Sequence, residues 1–125
     1  MQNEEDVIHE IIDAAVEVKS VLGAGFLESV YQHALADELK RRSLKVQLEQ
    51  GIDVFYKGKA VGSFRADLVV EDCIIIELKC TTNITIDHEL QTVNYLKATG
   101  IDNGLIINFG HTPIQIKRKY RVNKR

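Results

Sequence analysis

Near the middle of the chain runs Cys73-Ile74-Ile75-Ile76-Glu77-Leu78-Lys79-Cys80. Consecutive isoleucines favour an extended backbone, and a strand that is apolar on both faces belongs in the centre of a sheet. The remainder of the chain must therefore supply flanking strands on both edges and helices above and below. Two charges interrupt this run. Glu77 and Lys79 are two residues apart, so on a strand they share one face. Burying such groups without partners costs several kcal/mol, which makes them candidates for a site rather than for the core.

The flanking elements can be read from periodicity. Val7, Ile11, Ala14 or Ala15, Val18 and Leu22 recur at helical spacing. Gly23-Ala24-Gly25 breaks that helix, and a second is expected over Phe26–Arg42 with Leu27, Val30, Tyr31, Ala34, Leu35 and Leu39 on its apolar stripe. Lys45–Tyr56 and Val61–Val70 read as strands joined at Lys57-Gly58-Lys59. A helix is expected over Thr85–Thr99, ended by Gly100, with Ile86, Leu90 and Val93 as its apolar stripe. Gly104–Phe109 and Ile114–Tyr120 complete the set as strands. The order α-α-β-β-β-α-β-β predicts an α/β fold with a central mixed β-sheet flanked by helices.

With 125 residues, the chain is expected to form a single domain with its own core. The first residues carry no basic and apolar leader pattern, and the longest apolar run is too short to cross a bilayer, so neither secretion nor a membrane partner is expected. Two cysteines at opposite ends of one strand cannot bridge, which fits a reducing, cytoplasmic setting. The net charge of −2 hides an asymmetry: residues 117–125 hold six basic side chains and no acidic ones, leaving −8 on the rest. Lys117, Arg118, Lys119 and Arg121 are thus candidate phosphate contacts, or else solvated guards of an edge strand.

The chemistry centres on the hairpin Phe64–Cys80. If Glu71–Cys73 is a three-residue loop, Val70 faces Ile74 and Asp67 falls opposite Glu77. A two-residue loop would send the two carboxylates to opposite faces. Opposed residues have Cβ atoms about 5 Å apart, so paired carboxylates repel unless a cation joins them. Oxygen-only ligands with open positions suit Mg²⁺, with Mn²⁺ as a substitute. Such a metal polarises a phosphate and acidifies a bound water, and Lys79 stands ready to assist.

Asp67 followed ten residues later by Glu77-Leu78-Lys79 resembles the active-site signature of the PD-(D/E)XK nuclease superfamily. Gly25, Glu28 and Tyr31 match the spacing of its GxxExxY proteins, and Gln91 with Tyr95 resembles the QxxxY motif of the RecB-like branch. Gly104–Gly110 is also similar to the family. The resemblance spans Val7 to Lys119. Ala66 stands where the superfamily's name has proline. The resemblance implies a restriction-endonuclease-like core and a metal-dependent nuclease acting on nucleic acid, with DNA expected over RNA. It implies that Asp67, Glu77, the Leu78 carbonyl and Glu28 hold the metal. Lys79, Gln91 and Tyr95 would then act on the water and the substrate. The rival expectation is a module on the same fold that binds nucleic acid or protein with little chemistry, working as a homo-oligomer or beside a partner protein.

The supporting residues have plainer readings too. A carboxylate at Glu28 suits a helix start whatever its function. Tyr31 continues an apolar stripe and reads first as core. Gln91 and Tyr95 share a helix face. His88, one turn before Gln91, could reach a phosphate. Arg65 is expected on the Asp67 face, binding phosphate or pairing with Glu28.

Overall fold

The computed structural model describes residues 3–122. The elements are α1 (Glu4–Leu22), α2 (Glu28–Arg41), β1 (Val46–Tyr56), β2 (Lys59–Val70), β3 (Ile74–Lys79), α3 (Ile86–Thr99), β4 (Asn103–Asn108) and β5 (Gln115–Tyr120). Five strands form one sheet in the order β1-β2-β3-β4-β5. β3 is central, pairing antiparallel with β2 and parallel with β4, while β1–β2 and β4–β5 are antiparallel. The expected α/β architecture and element order both hold.

Helices α1 and α2 cover one face of the sheet. Of the apolar positions read from the sequence in α1, Val7, Ile11, Ala14, Ala15 and Val18 are buried, while Leu22 at the helix end is half-buried. They pack with Tyr31, Leu35 and Leu39 of α2 and with Ile74, Ile76, Leu78, Leu105 and Ile107 of the sheet. Asn3 caps α1, its Oδ1 accepting from the Asp6 N–H at 2.8 Å. Among the described residues, α3 is the helix that covers the opposite face, over a small cluster of Ala66, Val69, Ile75 and Leu96.

Three helical expectations need correction. α2 begins at Glu28, which leaves Leu27 (76% exposed) and Val30 (37%) outside the core. The buried stripe of α2 instead runs through Tyr31, Gln32, Leu35, Ala36 and Leu39. In α3, Ile86 and Leu90 are 73% and 58% exposed, and the helix buries Thr92 and Leu96 instead. Gly104 explains the choice: its missing side chain lets Thr92 and Leu96 approach β4, where an added Cβ would lie 3.1 and 3.3 Å from them. Close approach at a glycine fixes which helix face turns inward.

Candidate active site

The loop between β2 and β3 decides whether the two acids can meet. It is the three-residue turn Glu71–Cys73, and Val70 pairs with Ile74. Glu71 and Asp72 both have left-handed φ values, +52° and +56°. Both are also held from outside: the Glu71 carboxylate accepts from the Lys45 N–H and Asp72 pairs with the Lys45 ammonium at 2.7 Å. The register so fixed runs through Val69–Ile75 and Leu68–Ile76.

Beyond Leu68 the strands part, and carboxylates take over the hydrogen bonds. The Asp67 N–H donates to Glu77 Oε2 at 3.1 Å, and the Leu78 N–H donates to Asp67 Oδ2 at 2.8 Å. Each acid thus bridges to the other's strand. The cause lies partly in β1. Val46 and Leu48 pack toward α1 and α2, but Ile52 packs toward α3. In β2, Leu68 and Val70 face the first side, whereas Phe64 and Ala66 face the second. Both strands therefore switch alternation between these points, and the residues at the switch are Glu49 and Asp67. Glu49 has φ +53°, a conformation that ordinary side chains avoid at a cost of about 1–2 kcal/mol.

Gln32 ties this switch to α2. It is only 6% exposed, and its Nε2 donates to both Glu49 Oε2 and the Asp67 carbonyl, each at 3.1 Å. Neither Gln32 nor Glu49 stands out from the sequence. Gln32 lies one turn after Glu28, a spacing that could have flagged it. Glu49 offered no signal, because only the backbone conformation marks it.

The electrostatics are those of too much negative charge in too little water. Glu77 is 5% exposed, and burial followed by the Asp67 charge pushes its carboxyl up to about 8. Burial also raises Asp67, against the Leu78 N–H and the Lys79 charge, which favour its anion. Glu28 is solvent-exposed as a residue, yet its carboxyl is raised by partial burial and then by Asp67. The phenol of Tyr95 is raised by burial and then by the charges of Glu77 and Asp67, while Gln91 pulls the other way. Asp67, Glu77, Lys79, Glu28, Gln91 and Tyr95 therefore occupy one electrostatic neighbourhood. Lys79 follows the alternation of β3 onto the side of Glu77. The loop beyond Lys79 is clamped by buried Asn108, whose side chain bonds both the N–H and the carbonyl of Thr81 at 3.0 Å. Gly110 passes so close that an added Cβ would lie 2.6 Å from Thr81 backbone atoms.

Among the described residues, no three His, Cys, Asp or Glu side chains converge tightly enough to hold a metal ion as placed. The donor chemistry nonetheless fits a hard divalent cation. Asp67 and Glu77 each spend one oxygen on a backbone N–H, and Asp67 Oδ1 and Glu77 Oε1 have no hydrogen-bond partner among the described residues. No buried side-chain polar atom among them lacks a partner, so those two oxygens are not sealed from solvent. Paired, partly desolvated carboxylates with free oxygens are the ligand set that Mg²⁺ takes.

Other expected site residues lie apart from this cluster or are otherwise engaged. Arg65 is exposed, sits between Phe64 and Ala66, and so points away from the α3 side; it makes no ion pair with Glu28 among the described residues. His88 closes a capping box at the start of α3, its Nδ1 accepting from the Thr85 N–H at 3.1 Å. Much of the basic stretch is spent within the fold. Arg118 pairs with Glu5 and Asn103, Lys119 with Glu89, and Arg121 with Asp102. Lys117 is exposed and makes no ion pair among the described residues, and residues 123–125 lie outside them. Tyr31 is core: it is 1% exposed, stacks on Phe109 at 4.7 Å and donates to the Gly23 carbonyl at 2.6 Å.

A central mixed sheet, two helices on one face, and an Asp and a Glu-x-Lys meeting where two strands part define a nuclease-like α/β class. The sequence matches the PD-(D/E)XK nuclease superfamily over residues 5–120, and the chain belongs to that superfamily. The crystal structure of the protein SSO0001 superposes with a TM-score of 0.58 at 19% identity. The alignment covers 96% of this chain and 60% of that one, so this chain spans less than two thirds of its length. At that identity the likeness speaks for the fold. No curated protein matches the sequence at a significant level.

Proposed function

We propose that this chain is a Mg²⁺-dependent nuclease that hydrolyses phosphodiester bonds in DNA. We also assign it to the GxxExxY proteins, with Gln91 and Tyr95 as a QxxxY pair. The observation that carries the reading is the reciprocal bonding of Asp67 and Glu77 across parted strands, with Glu77 pushed up to about 8. A carboxyl so perturbed, beside a second carboxylate and a lysine, is a functional arrangement more often than a structural one.

In this reading Asp67, Glu77, the Leu78 carbonyl and Glu28 hold the cation, and Mn²⁺ can replace it. When bound, the cation supplies a polarised phosphate and an acidified water. The chain's own residues do the rest. Gln32, itself held by Glu49, braces the backbone carbonyl of Asp67 and so fixes where its carboxylate starts from. Lys79 offers positive charge to the phosphate oxygens or steers the attacking water. Gln91 and Tyr95 orient the substrate from α3. Lys117 contributes charge along the backbone, with Arg65 and His88 as further candidate contacts. Arg118, Lys119 and Arg121 contribute only if they leave their present acidic partners.

The experiment is cleavage of single- and double-stranded DNA in Mg²⁺ by the parent protein and by Glu77→Gln. We expect a loss of roughly a thousandfold in the variant, equivalent to several kcal/mol of transition-state stabilisation. Equal rates in both proteins would remove the assignment.

A further inference from the structure

Strand β2 pairs with β3 only from Leu68 to Val70, yet it extends back to Lys59, paired on one side with β1. The result is a two-stranded arm that projects from the sheet over α3. Isolated two-stranded arms are marginal in water, so something must hold this one. That tether is Phe64, which stacks on Tyr95 of α3 with ring centroids 3.6 Å apart and planes 6° apart. Beside the stack lies an open groove of about 460 Å³, walled by Val54 and Phe55 from the arm and by Asn94 and Lys97 from α3.

The arm leaves large apolar surface in water. Phe55 is 63% exposed and Tyr56 62%, at a tip that also carries Lys57 and Lys59. The Lys57 ammonium lies 5.4 Å from the Tyr56 ring centroid. Between Ile52 and Phe64 the arm carries two cations, Lys57 and Lys59, and one carboxylate, Asp53. Lys97 adds a further cation at the groove, without an ion pair among the described residues. Exposed aromatic faces interleaved with cations suit a ligand that is flat, apolar on its faces and attached to a polyanion. A second copy of this chain fits less well, because a self-complementary contact here would set these lysines against themselves.

We propose that this groove holds an unpaired nucleobase of a nucleic-acid strand whose phosphate lies at Asp67 and Glu77. The inference rests on the nuclease reading for the position of that phosphate. Tyr95 joins the two places: it lines the groove with its stacked partner Phe64, and its phenol lies near enough to Glu77 and Asp67 for their charges to raise it. Phe64 precedes Asp67 by three residues, about 10 Å along an extended chain and within reach of about three nucleotides. The base must be unpaired, because in a duplex both its faces are already stacked. Asn94 at the rim supplies amide groups for a base edge, and stacking itself is indifferent to sequence.

The test is metal-free binding, measured by fluorescence anisotropy in EDTA with Glu77→Gln as the parent so that cleavage plays no part. The probes are labelled oligo-dT, labelled oligo-U and a blunt DNA duplex, and the two single strands distinguish deoxyribose from ribose sources of the base. Phe55→Ala combined with Tyr56→Ala should weaken single-strand binding about tenfold or more and leave duplex binding within twofold. An oligonucleotide with a run of abasic sites should cost the parent the same factor and cost the double variant nothing further. Both side chains are exposed, so the variant should keep the parent's thermal unfolding curve. Unchanged oligo-dT and oligo-U affinity in the folded double variant, or no single-strand binding by the parent at low salt, would overturn the inference. Concentration-dependent self-association that the double variant abolishes, seen by sedimentation without any change in oligonucleotide binding, would assign the groove to a second copy instead. Since no arm requires turnover, a protein that binds bases here but never cleaves would defeat the nuclease reading, and with it the phosphate position, and leave the base groove standing.

Discussion

The two faces of the sheet are built on different terms. The face under α1 and α2 is a continuous apolar layer running from Val7 to Phe109. The face under α3 has only a small apolar patch and, beside it, two raised carboxyls, a lysine, a tyrosine and an open groove. One strand serves both: in β3, Ile74, Ile76 and Leu78 point into the packed layer, while Glu77 and Lys79 follow the alternation to the other side. Stability is thus concentrated on one side of a plane a single residue thick. The destabilising groups sit directly across it, where the packed layer can hold them.

This division can be broken most forcefully from the packed side. Leu35 is fully buried between α1, α2 and the sheet. Leu35→Ala should lower unfolding stability by roughly 2–5 kcal/mol through lost burial and the cavity left behind. Urea titration would measure it. At temperatures where the variant stays folded, Mn²⁺ affinity should be unchanged. A variant that loses metal affinity in proportion to stability would show that the two faces are coupled.

From the other side, the expected effect has the opposite sign. Burial and Asp67 raise the Glu77 carboxyl from 4.5 to about 8. Between those values the folded, metal-free protein keeps a proton that the unfolded chain has released. Folded stability is therefore fully present below the unfolded value and is lost as pH rises toward 8. Glu77→Gln should remove most of that slope and stabilise the metal-free protein at pH 8 by roughly 2 kcal/mol or more. Asp67 and Glu28, raised in the same direction, would leave a smaller residual slope. Denaturant midpoints in EDTA between pH 5 and pH 8 decide the matter. A parent protein that is more stable at pH 8 than at pH 5 would contradict the assigned charge burden. Mg²⁺ should restore stability at pH 8 in the parent more than in the variant, since binding to the folded state alone is stabilising.

What could be read from the sequence divides along the same plane. Helix α1 and strand β3 were legible because long apolar periodicity leaves few alternatives. The meeting of Asp67 with Glu77 is legible because a three-residue turn at Glu71–Cys73 sets Val70 against Ile74. On the α3 side the sequence pattern points the wrong way. Ile86 and Leu90 look like a buried stripe, but helix orientation is set by the bare surface of Gly104, which periodicity does not reveal. Strict alternation puts Arg65 on the Asp67 face, but the switch at Glu49 and Asp67 breaks that alternation. The basic stretch looked free because its acidic partners, Glu5, Glu89 and Asp102, are distant in sequence.

The switch itself can be probed by backbone preference. Glu49 is exposed and has φ +53°. Glu49→Val should cost about 1–2 kcal/mol, since a β-branched residue tolerates the left-handed region least. Glu49→Gly should be nearly neutral in stability while removing the acceptor for Gln32. If Glu49→Gly weakens Mn²⁺ binding and leaves the unfolding midpoint unchanged, the carboxylate braces the site. Identical behaviour of the two variants would reduce Glu49 to a backbone feature.

The smallest effect separates two lysines that the sequence cannot tell apart. Lys117 and Lys119 both lie on β5 and point toward the α3 side, since they pair with Ile106 and Gly104, and Gly104 packs against α3. Lys119 is spent on Glu89, its ammonium 2.8 Å from the carboxylate. Lys117 is unpaired among the described residues and shares a row with Glu77, through Ile106, about 10 Å away across two strand spacings. A phosphate neutralised by one lysine contributes close to one unit to the dependence of log affinity on log salt. Lys117→Ala should therefore reduce the salt slope of DNA binding by about one, whereas Lys119→Ala should leave it unchanged and cost at most about 1 kcal/mol of stability. Equal changes in slope from both substitutions would mean that the Glu89 pair opens on binding, and that the exposed face of the sheet reorganises around its substrate.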